Sequence, residues 1–417
     1  MPWGSRRMRA DCAMIEIDMA APPAPIALPE GCGSAHVLMR WRGRPVGRFW
    51  LDRDRFGPRL EVDRLAAEAS RAAAGAIAAR ALADALDRRA SETPPLPASL
   101  TVAVCTRGRP RELARCLAAL VAIRGAAPAG ARPELLVVDN APPDEASREV
   151  AEAAGVRRVV EPVPGLDFAR NRALAETKTD WIAYIDDDAV PDRGWLGAFA
   201  EAARRSPQAG GILGPILPLD LATEAQRRFE RSGGFGKGFR WRRYASERWG
   251  DPRHPANAGG MGTGANMILS TAAMRAIGGF DEALDTGPPL PGGGDLDAFY
   301  RLVRSGRTIA YTPDLLVFHE HRRDIPGLRR QYHSWGLSVM TLVRKHEAAD
   351  PEMAWRHRLV ARWWAMKHLR RLAFAGLGRG AYLPSFILAD MAGALRGWFG
   401  EYARSRRRIA ARKRDFA

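Results

Sequence analysis

The sequence predicts an α/β fold built on a largely parallel sheet. From residue 100 onward, short β-branched runs alternate with helix-spaced segments. The runs are continuously apolar more than alternating, as expected of strands covered by helices on both faces. The connections between them are long enough to be right-handed helical crossovers. With 417 residues, 46% of them hydrophobic, the chain can fill two or three packed domains and is too apolar to be mainly disordered.

Residues 1–98 read as a small N-terminal α+β accessory module and linker. A Pro/Ala-rich tail comes first, then "AHVLMRWRGRPVGRFWLD", whose alternation predicts a hairpin, then the Ala-rich helical run "RLAAEASRAAAGAIAARALADALDRR". The segment "ASETPPLPAS" reads as the linker.

"LTVAVCT" is the first strand of the main unit, and "RPRELARCLAALVAI" carries Leu113, Cys116, Leu117, Leu120 and Val121 on one helical face. "ELLVVDNAPPD", "VRRVVEPVPG" and "WIAYIDDDAV" give three further strands, with "EASREVAEAA" and "FARNRALAETK" as the helices between them. Ligands on such sheets bind outside the carboxyl ends of the strands. Those ends carry Thr106 and Arg107, then Asp139 and Asn140, then Asp186, Asp187 and Asp188.

Three adjacent carboxylates repel one another, and a divalent cation or hydrogen bonds must offset the repulsion. Oxygen ligands of this kind suit Mg²⁺ or Mn²⁺. In isolation the triplet reads more readily as a solvated polar turn; its place at a strand end favours a ligand site. The glycine runs "AGGMGTGAN" and "GPPLPGGGD" match neither phosphate-cradling pattern, G-x-x-x-x-G-K-[ST] or a strand-to-helix G-x-G-x-x-G.

The segments "TVAVCTRGRP", "LLVVDNAPPD", "GLDFARNRAL", "WIAYIDDDAVP", "GANMILSTAAMRAIGGFDEAL" and "GGGDLDAFYRLVRSGRTIAYTPDLLVFHEHRR" together resemble a family 2 glycosyltransferase with the GT-A fold, in the family's order over residues 100–323. The resemblance implies an inverting, metal-assisted transfer from a nucleoside diphosphate sugar to a glycan or lipid-linked acceptor, within a domain spanning 99–323. It implies Asp188 as metal ligand and Asp186 and Asp187 as donor contacts. Thr106, Arg107, Asp139 and Arg170 then fall at or near the nucleotide pocket.

An inverting transfer needs a base for the acceptor hydroxyl. The resemblance places it at Asp295, with Asp297 as the second candidate. The family's Glu before this Asp is absent, and Gly294 stands there. His319 and His321 share a strand face, and by resemblance His319, 24 positions after Asp295, is the preferred extra metal ligand. Arg322 and Arg323 are candidates for neutralising the departing diphosphate.

Net charge is +17, and residues 322–417 hold 21 Lys plus Arg against 7 Asp plus Glu, which is +14 of it. This segment, 324–417 as a region, interleaves Trp, Phe and Leu with Arg and predicts basic amphipathic helices. An anionic membrane surface is the favoured partner, helices packed on the catalytic domain the next reading, and nucleic acid the least favoured. The four cysteines lack CxxC spacing, and no signal-peptide core or spanning apolar run occurs, so a cytoplasmic protein on the inner membrane face is expected. The competing function is a catalytically inactive GT-A-like binding module tethered by its basic tail, for which the missing Glu speaks.

Overall fold

A computed structural model describes residues 12–22, 24–86, 98–246, 250–377 and 382–416. In the N-terminal module β1 (Cys12–Asp18) runs parallel to β3 (Ser34–Trp41), after the short β2 (Ile26–Ala27). β3 turns through Arg42 and Gly43, both at positive φ, into the antiparallel β4 (Arg44–Asp52). That is the predicted hairpin, closed by a two-residue turn of the kind that matches strand twist. β1 lies in the stretch read from sequence as a tail; its residues bury every second side chain, as a strand covered on one face does. α1 (Arg53–Phe56) and β5 (Arg59–Leu60) lead to α2 (Val62–Leu86), which covers the sheet with Leu65, Ala69 and Ala73. The predicted linker falls mainly on 87–97, outside the described residues.

The main unit opens with the predicted alternation: β6 (Leu100–Thr106), α3 (Pro110–Ala126), β7 (Glu134–Asn140), α4 (Ala146–Ala153), β8 (Arg157–Glu161), α5 (Leu166–Glu176) and β9 (Trp181–Asp186). Leu113, Cys116, Leu117 and Leu120 are buried on the predicted face of α3. Then follow β10 (Ala189–Pro191), α6 (Trp195–Arg205), β11 (Ala209–Leu213), β12 (Ile216–Pro218), α7 (Glu224–Arg231), β13 (Arg242–Tyr244), β14 (Asn266–Ser270), α8 (Thr271–Ala276), α9 (Gly294–Arg304), β15 (Thr308–Tyr311) and β16 (Val317–His319). The main sheet has eight strands in the order β13-β15-β11-β14-β9-β6-β7-β8, and only β13 and β14 run against the others. Alternate residues of β6 point to opposite cores, Val102 and Val104 to the α3 side and Ala103 to the α5 side.

The run "WIAYIDDDAV" is not one strand. β9 stops at Asp186, Asp187 and Asp188 turn, and β10 joins a second small sheet, β10-β16-β12. Leu38 of the N-terminal hairpin packs on Leu217 and Leu316 of this region, and Arg40 pairs with Asp192 at 2.6 Å. Beneath it Glu230 meets Arg48 in an ion pair and His321 at 3.1 Å, all largely buried. The N-terminal module therefore braces the strand that ends in His319.

α10 (Ile325–Ala349), α11 (Ala354–Gly376), α12 (Pro384–Trp398) and α13 (Glu401–Asp415) complete the fold. α10 and α12 cross so closely that a Cβ at Gly336 would lie 1.9 Å from the Asp390 carbonyl oxygen. α10 and α13 return to the main unit: His346 pairs with Asp297 at 2.8 Å, Tyr402 Oη donates to Asp281 at 2.6 Å, and Ser405 Oγ donates to the Ala283 carbonyl at 2.7 Å. Among the described residues no helix is long and apolar enough to cross a membrane.

Candidate donor and metal site

β6, β7 and β9 end level with one another, Thr106 in register with Asp139 and Cys105 with Asp186. Where β10 begins, Ala189 pairs with His319 of β16 and Glu320 N–H donates to the Asp188 carbonyl at 3.0 Å. That pairing brings His319 Nε2 to 3.0 Å from Asp188 Oδ1. Ligand atoms of Asp186, Asp188 and His319 all lie within 4.8 Å of one another.

The triplet is divided by its partners. Both oxygens of Asp187 are engaged, Oδ2 by Thr106 Oγ1 at 2.8 Å and Oδ1 by Arg109 Nη1 at 2.6 Å. Arg109 Nη2 also donates to Asp188 Oδ2 at 2.8 Å, and the other oxygen, buried Oδ1, faces His319 Nε2 at 3.0 Å. Arg109, passed over in the sequence, precedes Pro110 at the N-terminus of α3. Its signal was there in "TRGRPRE": a charged residue just before an N1 proline sits where a helix begins beside the strand ends.

Charge balance follows from this geometry. Burial pushes Asp187 up to about 7 in spite of Arg109. Burial and then the charge of Asp188 raise Asp186, with Arg170 and His319 opposing. Burial acts on Asp188 too, but His319 and Arg109 outweigh it and hold that carboxyl below the usual range. In return, burial disfavours the His319 imidazolium but Asp188 more than restores it, and His319 titrates above its ordinary value. The site thus draws positive charge from every available source, and two carboxylate oxygens with one imidazole nitrogen fit a divalent cation such as Mn²⁺ or Mg²⁺.

A second cluster adjoins it. Asp295 in the first turn of α9 accepts the Gly264 N–H on Oδ2 at 2.6 Å and the Leu296 N–H on Oδ1 at 2.8 Å. Buried Arg170 donates through Nη1 to Asp167 at 3.0 Å and to Asp285 at 3.1 Å. Asp285 in turn accepts the Gly294 N–H at 2.9 Å. Asp297 has a different environment: fully buried, it is held by Arg301, Lys345 and His346. Those bonds occupy it in joining α9 to α10.

The remaining sequence candidates are dispersed. Asp139 pairs with Arg158 at 2.8 Å and keeps Oδ1 buried and unpartnered. Arg107 is exposed. His321 faces Glu230 at 3.1 Å, away from Asp188. Arg323 pairs with Glu320 at 2.6 Å and Asp220 at 2.9 Å, while Arg322 is exposed and near enough to His319 to oppose its charge.

A mostly parallel α/β sheet with a carboxylate–histidine trio at its open strand ends is the arrangement that the sequence resemblance implied. The sequence matches the profile of Glycosyl transferase family 2 over residues 101–254 and that of Glycosyl transferase family group 2 over residues 181–403. The chain belongs to the family 2 glycosyltransferases. It is 26% identical over 232 residues to the pre-mycofactocin glycosyltransferase of Mycobacterium tuberculosis, covering 54% of this chain and 43% of that protein. It therefore spans less than half the length of that relative. It is 30% identical over 246 residues to the succinoglycan biosynthesis protein ExoM of Rhizobium meliloti, covering 56% of this chain and 72% of that protein. Among solved structures, the mannosyltransferase PcManGT of Pyrobaculum calidifontis, in complex with GDP-Man and Mn²⁺, superposes with a TM-score of 0.48 at 16% identity, over 75% of this chain and 91% of that one. S. aureus TarS gives 0.42 at 13%, over 59% and 39%.

Proposed function

We propose that the protein transfers a hexose-type sugar from a nucleoside diphosphate donor to a hydroxyl of a glycan or lipid-linked acceptor, with inversion at the anomeric carbon. The observation that carries this is the Asp186, Asp188 and His319 trio, with Asp295 near enough for its charge to help raise the Asp186 carboxyl. Asp186, Asp188 and His319 would hold a divalent cation, which when bound would supply charge neutralisation for a departing diphosphate. Asp187 and Arg109 fix the turn that presents Asp188. Asp139, with its unpartnered Oδ1, and Arg107 serve the nucleotide, and Arg322 the diphosphate. Asp295 removes the proton of the attacking hydroxyl; each of its oxygens has one lone pair engaged by a backbone N–H and another free. Residues 99–323 form the transferase domain, 1–98 an accessory module and 324–417 a basic helical region.

Release of nucleoside diphosphate from a panel of sugar nucleotides, with and without Mn²⁺, tests the function. One donor is expected to turn over in a metal-dependent way; absence of metal-dependent binding or release for the whole panel would sink the reading.

We also propose that the protein is peripheral on the cytoplasmic face of the cell membrane. On α11, Trp355, Trp363, Met366, Leu369 and Phe374 are exposed and, at about 3.6 residues per turn, fall on one face. Leu388, Leu395 and Phe399 are exposed on and just after α12. Arg362 and Arg370 are exposed among the α11 set, and Lys367 Nζ lies 4.6 Å from the Trp363 ring. Aromatic and aliphatic residues mixed with cations in this way suit an anionic lipid interface. The wild-type protein is expected to float with phosphatidylglycerol vesicles, less so at high salt, and a Trp363→Glu/Leu369→Glu variant to remain in the soluble fraction. Equal flotation of the two proteins would remove α11 from the contact.

A further inference from the structure

The backbone at Gly294 is not in the left-handed region, so conformation alone does not require glycine there. Space does. A Cβ built on Gly294 would lie 1.8 Å from Asp167 Oδ2 and 2.5 Å from its carboxyl carbon. Asp167, in the first turn of α5, is 0% exposed, and that Oδ2 has no hydrogen-bond partner. Its other oxygen accepts from Arg170. On the far side, a Cβ at Gly264 would meet Arg170 Nη2 at 2.7 Å and the Asp295 Cβ at 3.0 Å, so Arg170 and Asp295 both pack against that glycine. Asp167, Arg170, Gly264 and Asp295 thus form one contiguous stack, with Asp285 closing it through the Gly294 N–H.

We propose that Asp167 is the positioning residue for Asp295: from α5 it supplies the buried carboxyl that fills the volume of a side chain at 294, and so fixes Arg170 and the first turn of α9. The inference rests on Asp295 being the base. Two glycines and one carboxyl make a lock whose parts fit only together, so the carboxyl should be movable from one wall to the other.

The test is an exchange. Asp167→Ala empties the space, Gly294→Asp overfills it, and the pair Asp167→Ala/Gly294→Asp places a carboxyl in the same volume from α9. Transfer is measured as kcat and donor KM in the presence of Mn²⁺. Each single variant is expected to lose kcat about 10- to 100-fold with donor KM within about twofold, the scale of a sub-ångström to ångström misplacement of a reacting group. The pair is expected to recover to within a few-fold of wild type. Wild-type kcat in Asp167→Ala, or a pair no better than its worse single, would overturn the proposal. Should Asp167→Ala fail to fold, the pair decides alone: folded and active supports the exchange, unfolded or inactive overturns it. Asp295→Asn separates the two levels. If that variant keeps full transfer, the base assignment fails; if it is inactive while the exchange fails, only Asp167 is misassigned.

Discussion

Replacing Asp188 by alanine is expected to lower donor turnover by about 10³-fold, the several kcal/mol that metal-assisted charge neutralisation contributes at such a site. The structure makes Asp188, not Asp187, the sensitive position. Asp187 has both oxygens engaged by Thr106 and Arg109, whereas Asp188 turns its buried Oδ1 toward His319 Nε2, 3.0 Å away, within the trio. The variant should remain folded, because removing one carboxylate relieves repulsion and leaves Arg109 its bond to Asp187. A readout apart from activity checks the same residue. At Mn²⁺ about 100-fold above its Kd, binding should stabilise the wild type by about 2.7 kcal/mol, or about 3 °C in melting temperature for a chain of this size. Asp188→Ala should show no such shift. An unchanged Mn²⁺-dependent shift, or turnover within about tenfold of wild type, would refute the assignment of Asp188 as ligand.

The first half of the catalytic fold was legible because its elements obey simple periods. "LTVAVCT" and "ELLVVDN" could only be covered strands, and α3 shows its buried face in Leu113, Cys116, Leu117 and Leu120. Beyond residue 209 the strands shrink to between three and five residues and are set by pairing across the sheets, as in β12, β13 and β16, so local pattern had little to register. The trio was partly legible. Asp188 and His319 were singled out by resemblance, but Asp186 was read as a donor contact and emerges beside them because β9 ends one residue before the turn. Arg109 was missed because what it does is a matter of where α3 starts, and Asp167 because a buried carboxyl looks in sequence like any helix N-terminal acid. The basic C-terminal region was legible in a different way. Its composition is that of an interfacial segment, yet Lys345, His346 and Tyr402 are spent on Asp297 and Asp281, while α11 and α12 carry exposed apolar residues such as Trp355, Leu369 and Leu395. Composition could not distinguish a cation facing lipid from one facing a buried carboxylate.

Asp295→Asn is expected to lower transfer by about 10²- to 10⁴-fold, the range general-base catalysis contributes, while leaving donor affinity nearly unchanged. The choice of this residue over Asp297 is a matter of free lone pairs. Asp297 is enclosed by Arg301, Lys345 and His346 and has nothing left to offer a substrate hydroxyl. Asp295 is only partly buried, and its two backbone donors orient the carboxylate without exhausting it. Asparagine keeps the shape but has one carbonyl oxygen for the two N–H groups of Gly264 and Leu296, so a stability loss of about 1 kcal/mol is expected alongside the kinetic effect. That cost is too small to account for a loss of two or more decades in rate, since a fold with any reasonable margin stays populated. Titration calorimetry of the donor with Mn²⁺ and the rate of sugar transfer together decide it. Retained donor binding with lost transfer fits a base. Loss of both in parallel would make Asp295 a donor ligand, and full transfer would move the proton acceptor elsewhere in the cleft.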